Sequence, residues 1–185
     1  MIGRFVGASV ALFGVAAYGS YKINEAKQFK ELYFDTLPDK RQYLLQQHQN
    51  AAYVYDPTFD SYEQTSKIQS YRKTIVGLCS GKILETGVGT SRNLKYYPQG
   101  SDVTAVDWSS NVLEVALLKS ATNINISYRL EDVENMSFKD NTFDTILDTF
   151  GLEYYLNPEK AISEMKRVCK PGRQDIITYI WQKHL

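Results

Sequence analysis

The 185-residue sequence predicts an α/β protein built on a doubly wound, mostly parallel sheet. Three observations carry that reading. From residue 82 onward short apolar runs alternate with helical patterns, which builds a parallel sheet with helices on both faces. The run Lys82-Ile83-Leu84-Glu85-Thr86-Gly87-Val88-Gly89-Thr90-Ser91-Arg92-Asn93 reads as a buried strand, an acid at its end and a glycine turn that opens a helix. Acidic residues recur where the apolar runs stop, at Glu85, Asp107, Asp132 and Asp148, and ligands of such sheets bind at the carboxyl ends of the strands.

Composition narrows the function classes. The hydrophobic share is 43% and the charged share 23%, with a formal net charge of zero. No basic excess marks a nucleic-acid surface, so no nucleic-acid partner is expected. Cys79 and Cys169 stand far apart and form neither a metal-ligand spacing nor a disulfide framework. With only His48 and His184 as histidines, no metal site is expected.

In chain order, Phe5 to Tyr21 carries no charge and is bracketed by Arg4 and Lys22. Its length of about 17 residues is the lower limit for a helix across a bilayer. Gly3, Gly7, Ala11 and Gly14 form a small-residue face that lets another membrane helix approach. Residues 1–22 are therefore expected to be a retained transmembrane anchor. The alternatives are a cleaved secretory signal, for which Val15-Ala16-Ala17 resembles a cleavage site, and a buried helix. Residues 23–52 read as a polar helical linker, with Pro38 ending one helix and Asp39 capping the next. The third segment, 53–185, is the ligand-binding domain. Tyr53 to Pro57 breaks helical periodicity. A helix is expected over about 62–79, with Ile68, Tyr71, Ile75 and Leu78 as its apolar stripe.

Strands are expected at 83–84, 103–106, 124–130, 143–150 and 176–180. One helix starts at Asn111, capped with Glu114 three residues later. Another starts at Asn157-Pro158, with proline at the first helical position.

The strand-end residues suit an adenosine ligand. Gly87 and Gly89 let the backbone turn sharply and approach a ligand. Asp107, about 18 residues past Gly89, can accept the ribose hydroxyls, and Trp108 can lie against the purine. Asp132 can accept from the adenine amino group while the Val133 backbone donates to the ring. Glu85 beside the turn repels a pyrophosphate and suits the cationic methionine end of S-adenosylmethionine. Arg92 stands where a dinucleotide fingerprint has its third glycine. Each residue also has a purely structural alternative: a tight turn for the glycines, a cap for Asp107 and Asp132, a core position for Trp108.

Residues from about Ala52 to Gly172 resemble the class I S-adenosylmethionine-dependent methyltransferases, closest to those with one N-terminal membrane anchor, including the mitochondrial inner-membrane group linked to cytochrome oxidase assembly. The matching residues are Tyr55-Asp56, Ile83 to Pro98, Val106 to Ser109, Phe143 to Thr145, Thr149 to Leu152 and Arg167 to Gly172. The resemblance implies S-adenosylmethionine contacts at Glu85, Gly87, Gly89, Asp107, Asp132 and Val133, and a cofactor-side role for Tyr55. It also places Asp148 to Phe150 near the transferred methyl, with Asp148 as the candidate base, and implies the mitochondrial inner membrane. The sequence departs from the family after Pro171-Gly172, where Arg173-Gln174-Asp175 replaces a glycine and a clean apolar strand. The hairpin that completes the family's sheet is not expected, so the fold reads as C-terminally incomplete with an exposed edge. Two functions stay open: a membrane-anchored methyltransferase, or a non-catalytic assembly subunit of a membrane complex, with protein partners, that keeps the fold.

Overall fold

A computed structural model of the protein describes residues 38–119, 123–172 and the backbone of 177–179. The chain divides into two compact units, residues 1–43 with 182–185, and residues 44–181. Of the first, only residues 38–43 are described. There Asp39 caps helix α1 (Lys40–Ala51), its carboxylate accepting the Gln42 N–H at 2.9 Å. The expected anchor at 1–22 lies outside the described residues, among which no helix is long and apolar enough to cross a membrane.

Helix α1 has no buried residue, as its glutamine-rich sequence requires. Two short helices follow, α2 (Tyr55–Thr65) and α3 (Ile68–Val76). This corrects the single helix expected at 62–79 and the break expected at 53–57. Pro57 lies in the first turn of α2, where an N–H has no intrahelical acceptor to lose. The real break is at Ser66-Lys67, where Lys67 turns left-handed at φ 63°. The expected apolar stripe is also rotated: Ile68, Arg72 and Val76 are buried, while Tyr71 and Leu78 are about half exposed at 49% and 55%. Arg72 turns inward because every partner it needs is there. It donates to both Glu63 oxygens (2.9 and 3.2 Å), to Asn93 Oδ1 (3.0 Å) and to Thr149 Oγ1 (3.0 Å).

Among the described residues the sheet has five strands: β1 (Lys82–Thr86), β2 (Asp102–Asp107), β3 (Asn125–Leu130), β4 (Thr145–Thr149) and β5 (Ile177–Tyr179). Their order is β3-β2-β1-β4-β5 and every pairing is parallel. The order reverses between β1 and β4, so a ligand crevice opens there. Side chains of a strand alternate between faces, and the two layers follow from that. Leu84, Val106 and Ile146 join Phe143, Met165 and Val168 on one face. Ile83, Val103 and Leu147 join Val76, Tyr97 and Leu113 on the other.

Helix α4 (Ser110–Leu117) is capped by Ser109, whose hydroxyl accepts from the Val112 N–H at 3.4 Å, rather than by Asn111 as expected. Helix α5 (Pro158–Val168) begins as expected, with Asn157 accepting from Lys160 N–H at 3.0 Å. The helix expected after the glycine turn does not form. Ser91 takes φ 63°, the chain passes through turns, and a 3-10 turn at Leu94–Tyr96 leads to Pro98. Asn93 and Tyr97 use this path to reach inward, where both are buried.

Replacing Arg72 by leucine removes a buried guanidinium and strands its partners. The expected loss is about 3 kcal/mol of unfolding free energy, read from urea denaturation of the full chain. A loss under about 1 kcal/mol, the scale of a surface pair, would show that the network does not hold α3 to the sheet.

Candidate functional site

A cavity of about 400 Å³ sits at the carboxyl ends of β1, β2 and β4. Seven of the sequence-predicted residues line it: Tyr55, Gly87, Gly89, Asp107, Trp108, Asp132 and Val133. Helices α1 and α2 close the opposite side with His48, Ala52 and Phe59, and the segment after β4 adds Phe150, Tyr154 and Tyr155.

The two glycines differ in purpose. Both have positive φ, 56° at Gly87 and 57° at Gly89, where a side chain is strained. A Cβ on Gly87 would also stand 2.8 Å from the Tyr155 hydroxyl and 3.2 Å from Gly151 Cα, so protein packing alone requires glycine there. A Cβ on Gly89 would meet only the Gly87 carbonyl, at 4.0 Å. The space over Gly89 is open, as a ligand's approach to the backbone requires.

Asp107 is buried, with Oδ2 accepting the Gly89 N–H and Oδ1 the Ser109 N–H, both at 3.0 Å. Burial raises its pKa, while the Ser109, Gly89 and Trp108 backbone N–H groups pull it back. Each carboxylate oxygen offers more than one lone pair, so Asp107 can serve the turn and a ligand hydroxyl together. Trp108 donates its indole N–H to His48 Nδ1 at 2.9 Å. Tyr55 packs on Phe59 with ring centroids 4.6 Å apart.

Two predicted residues, Glu85 and Asp148, do not line the cavity. Glu85 is 1% exposed and turns into the core. Its carboxylate accepts from Asn93 Nδ2 at 2.7 Å and from the Tyr97 hydroxyl at 2.6 Å. Burial raises its pKa to about 7 against the lowering effect of those two bonds. Asp148 is fully buried, and accepts from Thr86 Oγ1 (3.0 Å), the Gly151 N–H (2.8 Å) and the Tyr155 hydroxyl (2.8 Å). Those bonds clamp the strand end; they do not present a base to the cavity.

The sequence reading missed His48, Phe59 and Tyr154. His48 sits in a polar helix with no periodicity to single it out. Phe150 carries φ 84°, a strained value for a side-chain residue, and lies under the Arg72 guanidinium at 4.8 Å. A second hollow of about 490 Å³ shares Arg92 with the first. Two of its cations are matched by acids: Arg92 pairs with Asp56, Asp60 and Glu63, and Lys119 pairs with Asp56 and donates to the Thr90 carbonyl. It is a strut between α2 and the loop after β1.

Residues 84–174 match the methyltransferase domain family. That match supports a methyltransferase domain of the class I type over those residues, with S-adenosylmethionine as its cofactor. Over 130 residues it is 32% identical to phosphatidylethanolamine N-methyltransferase of Cereibacter sphaeroides, covering 67% of this chain and 62% of the relative. Over 150 residues it is 26% identical to the mitochondrial methyltransferase OMS1 of Saccharomyces cerevisiae, covering 70% of this chain and 32% of that one. The chain thus spans only part of these curated relatives. Among solved structures it shares the fold of the DhpI–SAH complex (TM-score 0.54, 20% identity, 70% of this chain and 64% of that one).

The residues present fit that cofactor. The open space over Gly89, the adjoining Asp107 carboxylate and the Trp108 ring meet in one cavity, and among the described residues no cluster could hold a metal.

The raised pKa of Glu85 makes stability depend on pH. The folded state holds its proton up to about 7 and the unfolded chain only to 4.5, so this group's contribution falls as pH rises through that window. Glu85→Gln is expected to remove about 3 kcal/mol of that decline, measured by urea denaturation at pH 5 and pH 8. Parallel curves for the two proteins would refute it.

Proposed function

We propose that this protein is a membrane-anchored methyltransferase that uses S-adenosylmethionine to methylate an acceptor with an apolar body. The observation that carries the reading is the shared cavity. Its sheet side has the groups for an adenosine ligand, and Phe59 of α2 with Phe150, Tyr154 and Tyr155 from the segment after β4 adds an aromatic wall. An apolar wall both excludes water and favours an apolar acceptor. The relative named for phosphatidylethanolamine supports a lipid-borne acceptor. The uncharged stretch Phe5 to Tyr21 supports the anchor, and the mitochondrial name of the yeast relative supports a mitochondrial location.

When bound, S-adenosylmethionine supplies a methyl group already activated on a sulfonium. The chain's work is therefore placement. Asp107 would hold the ribose hydroxyls, Trp108 the purine face, and Asp132 with the Val133 backbone the adenine edge. The Gly89 backbone lets the ligand lie close, and Tyr55 with Phe59 closes the cavity from the helix side. Asp148, clamped in the strand end, is not presented to an acceptor as a base. The reading is of an acceptor that presents its own lone pair, which needs no general base.

Calorimetry on the full chain in mild detergent tests this. Binding of S-adenosylmethionine or its demethylated product is expected. The absence of both heat and thermal shift would end the enzyme reading in favour of an assembly subunit that keeps the fold without turnover. Two variants sharpen the test. Asp107→Ala is expected to weaken cofactor binding about tenfold or more, the worth of a charged hydrogen bond. Asp148→Ala is expected to lower the melting temperature while changing affinity less. Equal losses of affinity would mean the ribose contact is wrongly assigned.

A further inference from the structure

The contact between His48 and Trp108 has a consequence for proton location. An indole N–H can only donate, and here it donates to His48 Nδ1 at 2.9 Å. His48 Nδ1 must then carry a lone pair, so a neutral imidazole has its proton on Nε2. A second proton could go only onto Nδ1. That would set two donors against each other and remove the acceptor from Trp108.

The surroundings favour the neutral ring. Tyr154, from the turn after β4, packs edge-on at 5.1 Å with its own pKa raised by burial, and Glu153 stands beside it in sequence. Asp107, at the end of β2, accepts from the Gly89 and Ser109 N–H groups. Asp132, past β3, accepts from the Glu134 N–H at 3.0 Å. From α1 itself the neighbours are the neutral Gln47 and Gln49. Among the described residues no carboxylate pairs with His48, and burial lowers its pKa.

The contact also holds a helix. Helix α1 has no fully buried residue, and a long bond from Asn111 Nδ2 to the Gln49 carbonyl, 3.4 Å, also ties it to the sheet layer. His48 and Trp108 both line the main cavity. We propose that His48 is a positioning residue: as a neutral acceptor it latches the Trp108 indole into the cavity wall, and protonation opens the latch. The value of this latch for cofactor binding rests on the methyltransferase reading above; the latch itself does not.

The experiment uses the full chain carrying Trp181→Phe, which leaves Trp108 as the sole indole of the two in the sequence. Indole emission is followed from pH 8 to pH 5 without cofactor. A step with its midpoint below 6.5, the ordinary histidine value, is expected. His48→Asn places an amide oxygen where Nδ1 stood and is expected to keep the neutral-pH emission with no step. His48→Phe keeps an edge-on ring without an acceptor and is expected to show the acid-form emission throughout. A flat wild-type titration, or a step that survives in His48→Asn, would overturn the latch.

Affinity for the demethylated cofactor is then measured at neutral pH. His48→Phe is expected to bind about tenfold more weakly, one hydrogen bond's worth, and His48→Asn to recover most of that. Equal affinity in all three would overturn the link to the cofactor. If none of them binds while the emission step remains, the methyltransferase reading falls and the latch stands.

Discussion

Three carboxylates stand buried at the carboxyl ends of adjacent parallel strands, Glu85 on β1, Asp107 on β2 and Asp148 on β4. Removing a charge from water is costly unless hydrogen bonds replace the hydration. Each loop that follows a strand is shaped by that requirement. The loop after β1 gives up a helix so that Asn93 and Tyr97 can reach Glu85. The glycine turn after β1 and the turn after β2 aim the Gly89 and Ser109 N–H groups at Asp107. The turn after β4 folds Gly151 and Tyr155 back on Asp148, which is why Gly87 and Gly151 have no room for a side chain. The ligand cavity is the space left between these satisfied acids and the helices above them.

The same requirement reaches α2 and α3. Arg72 is nearly buried, and its guanidinium links Glu63 of α2 to Asn93 and to Thr149 at the end of β4. Asn93 in turn donates to both Glu85 and Thr149. One continuous polar chain thus runs from helix α2 to the two central strands. Arg92 adds the second fastening, with Asp56, Asp60 and Glu63 around it. These charges hold the segment that carries Tyr55 and Phe59 against the cavity. Their role is placement of an aromatic wall, which suits chemistry in which the protein aligns reactants and keeps water out.

Legibility in the sequence followed the range of the interaction. The alternation of apolar runs and the Asn157-Pro158 helix start are local signals, and the parallel sheet and α5 are where they placed them. The break at Ser66-Lys67 was not legible, because Ile68, Tyr71, Ile75 and Leu78 keep helical spacing whichever face is buried. Only the positions of Glu63, Asn93 and Thr149, up to 77 residues away from Arg72, decide that the arginine goes inside. His48 was invisible for the same reason: its partner Trp108 is 60 residues distant.

The sequence by itself determined the sheet, the glycine turn and the string of strand-end acids, and with them a cofactor-type pocket. Backbone preference and burial of short apolar runs act over a few residues, so they can be read from a few residues. Tertiary structure alone decided which acids face that pocket. Asp107 and Asp132 line it, while Glu85 and Asp148 turn away, although all four stand at or just past the carboxyl ends of their strands. The difference is the supply of donors: Asn93, Tyr97, Thr86 and Tyr155 converge from separate segments to satisfy the two inward carboxylates, and that convergence exists only once the chain has folded.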